Sequence, residues 1–165
     1  MAFLISYDEV RTAWKLSSTV LADADIRTER HAAQAKLIIW VGQAYYDESA
    51  AEISAAREGL AEGENLLDDG ALSIQASALW QAELKLALAE LAPNLNVIYS
   101  GPGLQRSVVT ERGQTNSLTP AEVKGMQENL RREAAAAAQD YLQAGYPGAT
   151  ISRARDEAGE RIGED

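Results

Sequence analysis

The chain has 165 residues, 46% of them apolar, which is enough for one domain with a core and argues against full disorder. Its 25 acidic and 15 basic residues leave a formal charge of −10, and such a surface repels a phosphate backbone, so nucleic-acid binding is disfavoured as the main task. There are no cysteines and one histidine, which excludes disulfides, thiolate metal sites and Cys nucleophiles.

Met1 to Tyr7 holds a short apolar piece, Ala2-Phe3-Leu4-Ile5, without a basic flank and too short for a signal peptide. A first helix is predicted from Ser6, because Ser6-x-x-Glu9 has the form of a capping box; it should end near Ser17-Ser18. Asp23 and Asp25 open a longer predicted helix reaching about Tyr46. Ile26, Ala33, Leu37, Trp40, Val41 and Ala44 fall on one face, and Leu37 to Val41 should be central to the core. Asp47 to Leu67 reads as a weaker helix with a thin stripe of Ile53, Ala56, Leu60 and Leu67, stopped at Asp68-Asp69-Gly70. Ser73 to Leu91 is the strongest helical pattern, with Trp80, Leu84, Ala87, Leu88 and Leu91 along one face and Pro93 as its stop.

The pattern then changes. Asn94 to Ser100 and Leu104 to Thr110 are β-prone and flank Gly101-Pro102-Gly103, so a β-hairpin is predicted at about 95–112. A lone hairpin is marginal in water, so this one should lie against helices or a neighbouring subunit. Val97, Tyr99, Leu104, Arg106 and Val108 are its candidate interface residues. The last helix has the clearest start: Thr119 as N-cap, Pro120 in the first turn, Glu122 closing the box, and Leu118 with Val123 placed as a staple. It should run to about Gln143, with Val123, Met126, Leu130, Ala134, Ala137 and Tyr141 on its buried face and an Ala134–Ala138 run that admits a close helix neighbour. Gly145 and Pro147 stop it, and residues 146–165 carry few apolar anchors and are predicted to be disordered alone. The fold class that follows is mainly α: a bundle of four to five helices over 1–145, a small hairpin before the last long helix, and an extended C-terminal tail.

No catalytic constellation is legible. His31 has no evident triad partners, Asp68-Asp69 lacks the spacing of a calcium loop, and Gly101-Pro102-Gly103 is not a phosphate loop. The carboxylates Glu58, Glu62 and Glu64 sit in polar stretches, as solvated helix faces do. Arg106 and Arg112 read as solvated charges or as charges at a subunit interface, and Arg131-Arg132 as solvated. Trp14, Trp40 and Trp80 lie in apolar periodic patterns and are assigned to the core. No enzyme, cofactor or metal is expected. No apolar run approaches the roughly 20 residues needed to cross a bilayer.

Residues Gln81 to Leu142 resemble the head–tail connector (adaptor) and head-completion proteins of tailed phages. The resemblance rests on Ala82-Glu83-Leu84-Lys85-Leu86-Ala87-Leu88-Ala89-Glu90-Leu91-Ala92-Pro93, on Gly103-Leu104 through Gly113, and on Ser117-Leu118-Thr119-Pro120-Ala121-Glu122-Val123. It implies a structural virion protein of the phage neck, made in the host cytoplasm, that forms a ring, typically of twelve copies, under the portal and extends the DNA channel. The implied partners are the portal protein, neighbouring copies of the chain, and tail or stopper/nozzle proteins; DNA would pass through the lumen without sequence-specific binding. The family's C-terminal arm commonly inserts into the portal, and Tyr146, Pro147, Ile151, Arg153, Arg155 and Ile162 would carry that docking here. A reading of a different class is a small helical regulator, monomeric or dimeric, that binds a protein or peptide in a groove. A small hydrolase or transferase with an unrecognised site is a third reading, with the least support from the residue inventory.

Overall fold

A computed structural model describes residues 3–14, 21–60, 66, 72–98, 105–106, 116–117 and 119–145. Five helices account for most of them: α1 (Tyr7–Ala13), α2 (Asp23–Val41), α3 (Gln43–Glu58), α4 (Ile74–Ile98) and α5 (Pro120–Gly145). The mainly α class is therefore the observed one. The tail at 146–165 lies outside the described residues.

Two of the predicted starts are set by local chemistry as expected. The Ser6 hydroxyl accepts from the Glu9 N–H at 3.1 Å, and the Glu9 carboxylate accepts from the Ser6 N–H at 2.7 Å. At α5 the Thr119 hydroxyl accepts from the Glu122 N–H at 3.2 Å, while Glu122 accepts from the Thr119 N–H at 2.8 Å. Leu118, the other half of the expected staple, lies outside the described residues.

The first helix ends at Ala13, capped at Trp14, and not near Ser17-Ser18, and three further boundaries differ from the sequence reading. The helix expected from Asp23 to Tyr46 is two helices, because Gly42 breaks it with φ +93° and ψ 150°. Apolar periodicity runs on through Gly42, so the pattern gives no sign of the break. One consequence is that Tyr46 is wholly buried in α3 while Ala44 is exposed. Leu37, Trp40 and Val41 are core as expected, but Ile39 faces out and is 55% exposed. The weak helix expected from Asp47 to Leu67 is α3, shifted to Gln43–Glu58.

The third difference concerns Pro93. It is exposed inside α4, and the helix continues through it to Ile98. A proline removes one backbone bond and crowds one carbonyl, which bends or breaks a helix unless packing holds it. Here the turn before it is anchored by buried Leu91 and Ala92. The predicted strand at Asn94–Ser100 is thus corrected: residues 94–98, Val97 among them, are helical. With that strand absorbed, the expected hairpin cannot form as drawn. A two-residue ladder pairs Gln105 with Ser117 and Arg106 with Asn116 instead, antiparallel.

The helices share one hydrophobic cluster, and α4 lies at its centre. It packs most extensively on α5, then on α2, and also on α3 and α1. Lys85–Glu133 (2.9 Å) and Glu90–Arg131 (3.1 Å) show that α4 and α5 run antiparallel, since a later residue of one meets an earlier residue of the other. Ala134, Ala135 and Ala138 of α5 are buried, so the small-residue run serves a close approach within this chain. The segment before α1 bends at Leu4 and Ile5 and enters the core, with both residues wholly buried.

Gly42 and Gly125 make a paired prediction. A Cβ would meet nothing within 4 Å at either position. At Gly42 the backbone conformation is nearly restricted to glycine, so Gly42→Ala should lower stability by about 1–3 kcal/mol. Gly125→Ala, inside α5, should raise it by up to about 1 kcal/mol. Urea unfolding of the two variants checks both signs.

Candidate functional site

Few of the residues singled out from the sequence are brought together. Val97 is in the last turns of α4, and Arg106 is in the short ladder opposite Asn116. Tyr99, Leu104 and Val108 lie outside the described residues, as do Tyr146, Pro147, Ile151, Arg153, Arg155 and Ile162. The ladder sits in the chain between two antiparallel helices. It therefore belongs to the connection at one end of the α4–α5 pair, where the C-terminus of α4 faces the N-terminus of α5. His31 is exposed and meets the edge of the Phe3 ring at 4.8 Å. Trp40 and Trp80 are buried as expected, and Trp14 is half-buried. Arg131 is not simply solvated: it reaches Glu90.

The site with the most definite chemistry is one the sequence reading missed. Glu83, in the middle of α4, has no exposed surface. Its Oε2 accepts from the Tyr46 hydroxyl of α3 at 2.6 Å. The same hydroxyl oxygen accepts from Gln34 Nε2 of α2 at 3.1 Å and from the Leu4 N–H at 3.3 Å. Burial pushes the Glu83 carboxyl up to about 7, against the pull of the Tyr46 hydroxyl, the Ile5 and Leu4 N–H groups and the Arg30 charge. Its Oε1 has no well-formed hydrogen bond. Burial, and then the neighbouring Glu83 charge, push the Tyr46 hydroxyl far above its ordinary range, so it stays a donor.

Against this acid lies the segment 3–6, bent at Leu4 and Ile5, and its backbone is met group by group. Arg57 of α3 donates to Leu4 O and, at 3.4 Å, to Phe3 O. Arg30 of α2 donates to Ile5 O at 3.3 Å and stacks over Phe3 and Tyr7 at 3.8 and 4.0 Å. Arg57 is itself held by Glu9 at 2.7 Å, and Trp80 Nε1 donates to the same carboxylate at 3.1 Å. The capping residue of α1 thereby ties α1, α3 and α4 together. Arg11 does similar work at the start of α2: it donates to Leu21 O at 2.8 Å and pairs with Asp8 and Asp23.

A second shared acid is Glu90, which joins Lys36 of α2 at 2.7 Å and Arg131 of α5 at 3.1 Å. Burial alone would raise its pKa. The Lys36 ammonium and the Arg131 guanidinium outweigh burial and hold it below the usual carboxylate range.

A signal for Glu83 was present. With Ala76, Leu79, Trp80, Leu86 and Ala87 it falls at helical spacing on the buried face of α4. An acid at such a position must find donors or a proton. Among the described residues no group of three or more His, Asp or Glu is placed to hold a metal. No described helix is long and apolar enough to cross a membrane. No family model, no curated protein and no solved structure matches the chain.

Tyr46→Phe should lower stability by about 1–3 kcal/mol, since Glu83, Gln34 and Leu4 each lose the hydroxyl. Carboxyl NMR should show the Glu83 pKa rising further in that variant, because the hydroxyl pulls it down. Glu90 gives a separate pH prediction. Its folded pKa is depressed, so its contribution is complete above the unfolded value and is lost as pH falls through the folded one. Denaturation midpoints below pH 5 should therefore fall less in Glu90→Gln than in the parent.

Proposed function

We propose that the chain is a head–tail adaptor of a tailed phage, a structural virion protein rather than an enzyme, which rings the underside of the portal and lengthens the DNA channel. The observation that supports this best is the long antiparallel pair α4 and α5. The chain between them carries a short ladder, and α5 begins at a full capping box. That is the order of elements on which the resemblance over Gln81 to Leu142 rests.

In this reading the end of α4 with Val97, and the connection after Ile98 with Tyr99, Leu104, Arg106 and Val108, meet the neighbouring subunit. Residues 146–165 form the arm that docks on the portal, through Tyr146, Pro147, Ile151, Arg153, Arg155 and Ile162. The ring contact is heterologous: one face of each copy meets a different face of the next. A net charge of −10 suits a channel wall along which DNA slides without sticking. Tail or stopper/nozzle proteins would follow on the far side, and no cofactor or membrane takes part.

The test is electron microscopy of the full chain mixed with the portal protein encoded in the same genome. Additional ring density beneath the portal, with rotational symmetry, is the expected result. Portal particles unchanged at saturating chain concentration would reject the adaptor reading, and a small free species would favour a regulator. Truncation after Gly145 should leave helical content and melting temperature within a few degrees of the parent and abolish co-sedimentation with the portal. Undiminished co-sedimentation would remove the arm from the proposal.

A further inference from the structure

The assembly role leaves one buried group without a task. Glu83 is a fully buried acid with one unpartnered oxygen, lying beneath a segment that belongs to no helix or strand. Residues 3–5 are held by side chains of other elements and by the packing of Leu4 and Ile5, while Ser6, the N-cap of α1, stays bonded to Glu9 and to the Val10 N–H. Residues 3–5 can therefore lift away without breaking a helical backbone bond, which makes them a candidate for opening below the cost of global unfolding.

We propose that residues 3–5 form a proton-controlled latch: seating them against α2, α3 and α4 takes up a proton at Glu83, and ionisation of Glu83 favours their release.

The groups facing Glu83 come from each element around it. From α2 come the Arg30 charge and Gln34, the latter through the Tyr46 hydroxyl. From α3 comes Tyr46, and from the segment itself the Leu4 and Ile5 N–H groups. Arg57 and Glu9 form their own pair one layer further out, against the segment's carbonyls and Trp80. Arg30, the phenol and the two N–H groups favour the charged carboxylate, but removal from water outweighs them.

Lifting the segment lets water reach the carboxyl, and the main cause of its raised pKa goes with it. Glu83 then returns from about 7 towards 4.5. A group whose pKa is higher in the closed form contributes to closure below its open-form value and loses that contribution as pH rises through its closed-form value. The opening constant should thus grow about tenfold per pH unit between these limits, about 300-fold in all, and level off above pH 7.

Native-state hydrogen exchange on the full chain tests this. Protection factors, corrected for the intrinsic rate at each pH, are followed for the Leu4 and Ile5 amides and for Leu86 and Ala87 in α4. Leu4 and Ile5 should be less protected than the α4 pair, and their protection should fall about 40-fold from pH 5 to pH 7. Glu83→Gln cannot ionise and should give a flat profile for the same amides. Tyr46→Phe should keep the fall and extend it to higher pH, because only the closed-form value rises, which covers the case in which Glu83→Gln does not fold. Protection of Leu4 and Ile5 equal to that of α4 at every pH would overturn the latch. So would a flat parental profile, or an unchanged fall in Glu83→Gln.

Discussion

The hydrogen bond from Tyr46 to Glu83 sits where four parts of the chain meet: α2 through Gln34, α3 through Tyr46, α4 through Glu83, and the N-terminal segment through Leu4. An acid without exposed surface is costly unless donors reach it or it keeps its proton. Each donor comes from a different element, so the acid is accommodated only when all are in place. A purely apolar interface would tolerate sliding and rotation far better than this one. The break at Gly42 belongs to the same arrangement. It sets α3 on a new course and turns Tyr46, four residues later, into the core.

The N-terminal segment shows how a stretch of chain without regular structure can be buried. Its carbonyls and N–H groups need partners once out of water, and among the described residues no strand pairs with it. Two arginines supply the donors for its carbonyls, and the Tyr46 hydroxyl accepts from Leu4. Both guanidiniums are held in turn, Arg57 by Glu9 and Arg30 by stacking on Phe3 and Tyr7. The polar ring around Leu4 and Ile5 is thus mostly built from charged side chains that a sequence reader assigns to the surface.

The α4–α5 pair shows how an alanine-rich helix is packed within this chain. Ala134, Ala135 and Ala138 already lie buried with Tyr141 and Leu142 in the common core, and α5 is pinned by Arg131 to Glu90 and by Tyr141 to the Tyr45 carbonyl at 3.2 Å. The helical body is therefore closed by its own residues. Any need for neighbours rests with the connection after Ile98 and with residues beyond Gly145, which is where the adaptor reading puts its contacts.

Local chemistry was legible in the sequence wherever one or two adjacent groups decide the outcome. The Ser6–Glu9 and Thr119–Glu122 boxes, the burial of Trp40 and Trp80, and the stripe of α4 are of this kind: each follows from hydrogen-bond geometry within four residues or from helical period. The break at Gly42, the passage of α4 through Pro93 and the 105–106/116–117 pairing were not, because in each case local preference allowed two outcomes and packing between distant segments chose one. Glu83 is the clearest instance. Its place on the buried face could be read from spacing alone, but not what would meet it there. Tyr46, Gln34 and Leu4 lie 37, 49 and 79 positions away along the chain, and only the folded arrangement of α2, α3 and the N-terminal segment brings their donors to one hydroxyl and one carboxylate.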